Sequence, residues 1–316
     1  MRASGLISLL LAAAPALVSA KGTLGFSLGD KNADGTCKST SDYEADFDAL
    51  KGLSTLVRTY SGTECKTPQN VLPAAKNKGF KVVLGMWVGK PTDTNNLLEE
   101  PSFKADWAAI QKAIPGYEDV IHAITVGSET LYRGDLTGPQ LHTYISHVMD
   151  NVPKGVLVGT AESWNKLADG TGDALFTQEP IVKYVLANAF AYWQGTAADK
   201  AYKTYFDDMS GAIEHIQKIA GDNAKDINIV TGETGWPTDG GSDYEDAKAG
   251  TQNAEKFWKT GICGMLDWGV DLFYFEAFDE SWKPDTKGDN GEMKDEQHWG
   301  LFTADRKVKF DTSCPK

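Results

Sequence analysis

From residue 21 onward, short runs of β-branched and aromatic residues alternate with longer stretches whose apolar positions recur every three or four residues. The runs at 22–29, 55–61, 80–88, 120–126, 156–161, 184–192, 227–232 and 272–278 predict eight strands. Between them lie helical patterns. Tyr202, Phe206, Met209, Ile213, Ile216 and Ala220 fall along one helix face, and Tyr43, Phe47 and Leu50 do the same after the capping candidates Ser41 and Asp42. Strand and helix in alternation imply a parallel sheet, because parallel neighbours need a crossover and the crossovers cover the sheet. Eight such units fit an α/β fold of the closed (β/α)8 TIM barrel type better than an open doubly wound sheet. An open sheet would also bring a glycine-rich nucleotide loop after its first strand, and Gly25 and Gly29 do not make GxGxxG. No linker divides the chain, so one domain is expected, with a long polar loop at 279–297.

The first residues break the alternation. Arg2 precedes an apolar run from Leu6 to Val18, and Val18-Ser19-Ala20 has the small-x-small form of a cleavage site. Residues 1–20 read as a secretory signal and 21–316 as the catalytic domain, since the apolar run is shorter than the ~20 residues of a spanning helix. With 41% hydrophobic and 24% charged residues, the 316-residue chain can bury a large core. Loss of Arg2 with the leader takes the formal charge from −13 to −14. No Lys/Arg stripe offsets that balance, which argues against a nucleic-acid partner and suits a neutral, hydrated substrate such as a sugar.

Four cysteines, Cys37, Cys65, Cys263 and Cys314, remain in the exported chain. Their even number suggests two disulfides with three possible connectivities, and their spacing excludes a CxxC site. Pairing Cys37 with Cys65 and Cys263 with Cys314 is favoured because each pair joins neighbouring parts of the alternation. There is no N-x-[ST] sequon, and no hydrophobic C-terminal tail that would give a GPI-type membrane anchor. The sequence carries no signal for an oligomeric state.

In a barrel, chemistry sits where strands end at their C-terminal edge. Strand four leaves as "ITVGSETLYR" and delivers Glu129, and strand seven leaves as "IVTGETGWP" and delivers Glu233. Strand two leads to Tyr60, three to Trp87, six to Tyr192 and Trp193, and eight to Glu276, Asp279, Glu280 and Trp282. A lone glutamate at a strand end is more often structural than catalytic. Two of them, each preceded by glycine or a small residue and ringed by aromatics, match what glycoside cleavage needs: one acid to protonate the departing oxygen, one carboxylate to meet the oxocarbenium ion, and flat faces for sugar rings.

"VGSE" at 126–129 and "GETGWP" at 232–237 resemble the acid/base and nucleophile motifs of glycoside hydrolase family 17, and "NAFAYWQG" at 188–195 and "FEAFDESWK" at 275–283 resemble further stretches of it. The resemblance spans nearly the whole mature chain and is closest to the fungal cell-wall branch of β-1,3-glucanases and glucanosyltransferases. It implies a (β/α)8 fold, Glu129 as general acid/base and Glu233 as nucleophile. It also implies Tyr60, Asn188, Tyr192, Trp236, Glu280 and Lys283 as sugar-contacting or supporting residues, β-1,3-glucan as substrate, no cofactor and no metal. Many relatives have asparagine before the acid; this chain has Ser128, a shorter donor for the sugar 2-hydroxyl. Retention requires Glu129 to start protonated, Glu233 to start ionised, and the two carboxyl groups to lie ~5–5.5 Å apart. Aromatics beyond the cleavage point, such as Trp236 and Trp282, would hold an acceptor glucan against competing water. The branch resembled favours transfer over plain hydrolysis, and a non-catalytic glucan-binding wall protein is the alternative from another class.

Other motifs compete. "GFSLG" at 25–29 matches the G-x-S-x-G nucleophile elbow, with His298 late in the chain, yet it ends the first strand rather than a central one. "DKNADG" at 30–35 opens like a calcium loop but has Ser41 at the twelfth position, so it reads as a turn. The five histidines show no H-E-x-x-H spacing, and His122, within a strand, reads as an interior side chain.

Overall fold

A computed structural model describes residues 21–239, 243–287, 293–294 and 296–315. The leader at 1–20 lies outside the described residues. Eight strands close into a barrel in sequence order, every neighbouring pair parallel: β1 (Leu24–Ser27), β2 (Leu56–Arg58), β3 (Lys81–Met86), β4 (Ile121–Ser128), β5 (Leu157–Ser163), β6 (Tyr184–Asn188), β7 (Asn228–Thr234) and β8 (Leu272–Tyr274). All eight expected strands are present and the (β/α)8 class is borne out. Boundaries differ: β2 and β8 are only three residues long, while β4, β5 and β7 each run two residues past their expected ends.

The pleat sorts the strand residues into two apolar layers. Val83, Ala123, Ala161, Tyr184, Leu186, Val230 and Phe273 fill the barrel interior. Their alternates, including Val82, Leu84, Val185 and Ala187, face the helices. Apolar side chains on both faces exclude water from the whole sheet, as a parallel sheet wrapped in helices requires.

Of the helices between strands, α1 (Thr40–Leu50) buries Tyr43, Phe47 and Leu50 as the spacing predicts. Its N-cap, however, is Ser39: the Ser39 side chain accepts from the Asp42 amide and Asp42 accepts from the Ser39 amide, a reciprocal box rather than a cap at Ser41. In the long helix at Ala201–Ala220 the expected Met209, Ile216 and Ala220 are buried, but the rest of the buried stripe is Ala201, Tyr205, Asp208 and Ala212 in place of Tyr202, Phe206 and Ile213. Tyr202 is exposed, and Phe206 instead stacks on Trp268 at 5.7 Å. Both favoured disulfides are formed, Cys37–Cys65 and Cys263–Cys314. Between 279 and 297 the described backbone includes a small antiparallel pair, Thr286–Lys287 with Met293–Lys294. No helix among the described residues is long and apolar enough to cross a membrane.

Candidate active site

Above the apolar plug, the C-terminal edge of the barrel turns polar. In register, Ser27 stands beside Arg58, Ser163 beside Asn188, and Asn188 beside Glu233. Arg58 is almost wholly buried and organises this ring. Its Nη1 pairs with Glu233 Oε1 at 3.0 Å and donates to the Gly232 carbonyl at 2.9 Å, and Nη2 donates to Ser128 Oγ at 3.5 Å. The guanidinium also lies over the Tyr60 ring, 4.8 Å from its centre. One buried cation thereby ties the end of β2 to the ends of β4 and β7.

Glu129 reaches the same ring by a turn. β4 ends at Ser128, and Glu129 follows with φ 55°, two residues after Gly127 at φ 78°. Left-handed backbone at a non-glycine residue costs on the order of 1–3 kcal/mol and persists only where neighbours impose it. Asn188 Nδ2 donates to Glu129 Oε1 at 3.0 Å. Asn188 is itself seated by the absence of a side chain opposite: a Cβ at Gly232 would lie 2.5 Å from Asn188 Oδ1. Burial, and then the charge of Glu233, raise the Glu129 carboxyl to about 7, against the pull of Asn188, Arg58 and Arg133.

Beside this pair runs a groove of about 260 Å³ lined by Tyr60, Trp87, Phe275, Glu280, Trp282 and Lys283, among others. Lys283 Nζ lies 2.9 Å from both carboxylate oxygens of Glu276 and from Glu280 Oε2. Burial and the neighbouring Glu280 push the Glu276 carboxyl well above its usual range, while the two acids raise the Lys283 ammonium. Gly29 makes room for this cluster, because a Cβ there would lie 1.5 Å from Glu280 Oε1. Trp87 is 42% exposed and carries Arg133 4.4 Å from its ring centre; Trp282 similarly carries Lys31 at 4.4 Å.

The residues named from sequence thus divide. Glu129, Glu233, Asn188 and Tyr60 gather at the barrel mouth, and Tyr60 also lines the groove with Glu280 and Lys283. Tyr192 and Trp236 do not: both are fully buried. They pack edge to face at 5.1 Å, and Trp236 Nε1 donates to the Lys248 carbonyl. Neither offers a face to a sugar, so the expected stacking on Trp236 is corrected to core support. The reason is that β6 stops at Asn188 and Tyr192, beyond it, packs edge to face on Trp193 and Trp299, which stack on each other at 5.4 Å. The esterase motif also falls away: Ser27 is buried and its Oγ accepts from the Tyr60 hydroxyl at 2.7 Å. His122 is a strand residue in edge contact with Tyr184, and burial lowers its proton affinity.

Two residues escaped the sequence reading. Arg58 stands two places before Tyr60 on the same side of the pleat, and a lone cation within "TLVRTY" was the available signal. Glu162 lies in the last two residues of β5, beyond the end at Ala161 that the sequence pattern predicts.

Paired strand-end carboxylates, one backed by a cation and the other by an amide and raised by the charge of the first, are the apparatus of a barrel glycosidase. Comparison with known proteins narrows the class. The pattern described as the BtgE/BtgC glycoside hydrolase domain matches residues 25–300, and the chain belongs to that family. It is 57% identical over 314 residues to a glucan 1,3-beta-glucosidase of Arthroderma benhamiae, covering 99% of this chain and 98% of that one. It is 42% identical over 308 residues to a glucan 1,3-beta-glucosidase of Saccharomyces cerevisiae, covering 94% and 93%. Among solved structures, a glycoside hydrolase family 17 β-1,3-glucanosyltransferase from Rhizomucor miehei matches with a TM-score of 0.76 at 25% identity, over 92% of this chain and 98% of that one. The resemblance to family 17 read from the motifs is borne out.

Proposed function

We propose that the chain is a retaining β-1,3-glucan-active enzyme of the fungal cell wall that cleaves glucan and passes the cleaved portion to a second glucan. The observation that carries this reading is the unequal pair at the barrel mouth: Glu129 buried against an amide and Glu233 paired with Arg58. In the first step a Glu233 carboxylate oxygen attacks the anomeric carbon, the glycosidic C–O bond breaks, and the Glu129 proton goes to the departing oxygen. In the second, Glu129 takes a proton from an incoming hydroxyl whose oxygen displaces Glu233. The groove beside the pair is the sugar site, with Tyr60, Trp87 and Trp282 as ring contacts and Glu280 and Lys283 as hydroxyl partners.

Transfer is favoured by the Rhizomucor miehei structure, a β-1,3-glucanosyltransferase. Predominant hydrolysis is the second reading, favoured by relatives named as glucosidases. Incubation with a linear β-1,3-linked oligosaccharide and sizing of the products separates them: products longer than the starting sugar support transfer, and only shorter ones support hydrolysis. Glu129→Gln and Glu233→Gln, run alongside, abolish products while keeping binding. No products from the wild type despite binding would leave a glucan-binding wall protein instead, and products unchanged in both variants would move the chemistry to other residues. Export rests on the leader at 1–20, and an amino terminus at Lys21 in the secreted protein is the outcome expected.

A further inference from the structure

β5 ends in an acid that the two-carboxylate mechanism leaves without a role. Glu162 is fully buried, and the groups that act on its carboxyl among the described residues are hydrogen-bond donors and Glu129, with no lysine or arginine. Burial lifts its carboxyl to about 7 despite the donors around it. Those donors all come from one place. Thr130 Oγ1 donates to Glu162 Oε1 at 2.7 Å and the Leu131 amide to the same oxygen at 3.0 Å, while the Tyr132 amide donates to Oε2 at 3.4 Å. One residue earlier, the Ala161 carbonyl accepts from the Glu129 amide at 2.8 Å. The last residues of β5 therefore hold four successive residues, 129 to 132, immediately after β4 leaves the sheet.

That segment is the one whose backbone needs holding. Glu129 sits at φ 55° and Gly127 at φ 78°, and the side-chain hydrogen bond from Asn188 fixes only the far end of Glu129. An acid buried without a cation is costly unless hydrogen bonds offset its desolvation. Here the offsetting bonds all restrain the turn that carries Glu129. We propose that Glu162 is a positioning residue for the general acid: it clamps the turn at 130–132 so that the Glu129 carboxyl stands at the departing glycosidic oxygen. The inference rests on Glu129 being that acid.

A misplaced acid is felt only where the leaving group needs a proton. Glu162→Gln keeps the shape of the side chain but sets an NH2 group where one accepting oxygen stood. A displacement of the acid by ~1 Å costs ~100-fold, so kcat/KM on a linear β-1,3-linked glucose oligomer falls by that order. On the same oligomer carrying a 2,4-dinitrophenyl leaving group, which departs without protonation, kcat/KM stays near that of the wild type. Thr130→Val deletes one donor without changing side-chain shape and gives the same split at smaller size, which carries the test if Glu162→Gln does not fold. Equal losses on the two substrates, or no loss in a folded variant, overturn the proposal. Glu129→Ala measured in parallel separates the two levels. If it fails to show the split, the acid assignment is wrong; if it shows the split while Glu162→Gln behaves as wild type, only the clamp is wrong.

Discussion

At the end of β7, Glu233 lies within the strand, in register with Asn188, its carbonyl accepting from the Ala189 amide and its carboxylate paired with Arg58. At the end of β4, Glu129 lies one residue beyond the strand, in left-handed backbone, with an amide for a partner and a carboxyl raised by burial. The same side chain approaches Arg58 from both places. The sheet and a buried guanidinium hold one, while the other is raised in proton affinity by burial and positioned by a turn. The different roles proposed for the two glutamates follow from their different partners, which come from β2, β5 and β6 rather than from the strands that carry the acids.

The contrast is tested most severely by removing each acid and supplying azide. With a 2,4-dinitrophenyl glucan oligomer, Glu233→Ala leaves the face beneath the anomeric carbon open, so azide restores turnover and gives the α-glycosyl azide. Glu129→Ala still forms the glycosyl-enzyme, and azide intercepts it from the opposite face to give the β-azide. Without azide, the loss on unactivated glucan is on the order of 10²–10⁴-fold for the acid and larger for the nucleophile. The same anomer from both variants, read by proton NMR, would erase the distinction between the two strand ends.

The cation comes next in size. Arg58→Met leaves the Glu233 charge at a nearly dry site without its counter-ion, and breaking such a pair costs on the order of 3–5 kcal/mol. Denaturant unfolding measures the loss. Adding Glu233→Gln removes the stranded charge and recovers part of it. A double variant no more stable than Arg58→Met would mean that Arg58 packs the barrel mouth rather than neutralising Glu233.

Much of this arrangement was legible in the chain. Eight strands, their order and the two carboxylates follow from alternation and from reading what each strand delivers at its end, because both depend on local pattern. What escaped depends on strand length and on the third dimension. β5 was ended at Ala161, and the two extra residues of the real strand include Glu162. At β2 the aromatic Tyr60 is the visible signal, although the pleat points Arg58 the same way, two positions deeper, where only the closed barrel brings it to Glu233. Trp236 carries the opposite lesson. It lies in the most family-like motif of the chain, yet packing against Tyr192 and a hydrogen bond to the Lys248 carbonyl turn it into the core. Motif membership marks a neighbourhood, and burial decides which members meet the ligand.

The finest expected effect concerns protons. In the proposed mechanism Glu129 starts protonated, and burial together with Glu233 raises its carboxyl to about 7, so kcat/KM is expected to fall as pH rises through that value. Asn188 Nδ2 donates to Glu129 Oε1 and so favours the charged form. Asn188→Leu withdraws that donor, raises the carboxyl further and moves the alkaline limb upward. Glu233→Gln withdraws the like charge and moves the Glu129 carboxyl the other way, which carbon-13 NMR titration of the carboxyl reads in the inactive protein. Opposite displacements are what an amide on one side and a like charge on the other require. A limb that stays in place in Asn188→Leu, or a Glu129 carboxyl that does not fall in Glu233→Gln, would mean that desolvation alone sets the acid and that the two strand ends do not act on each other.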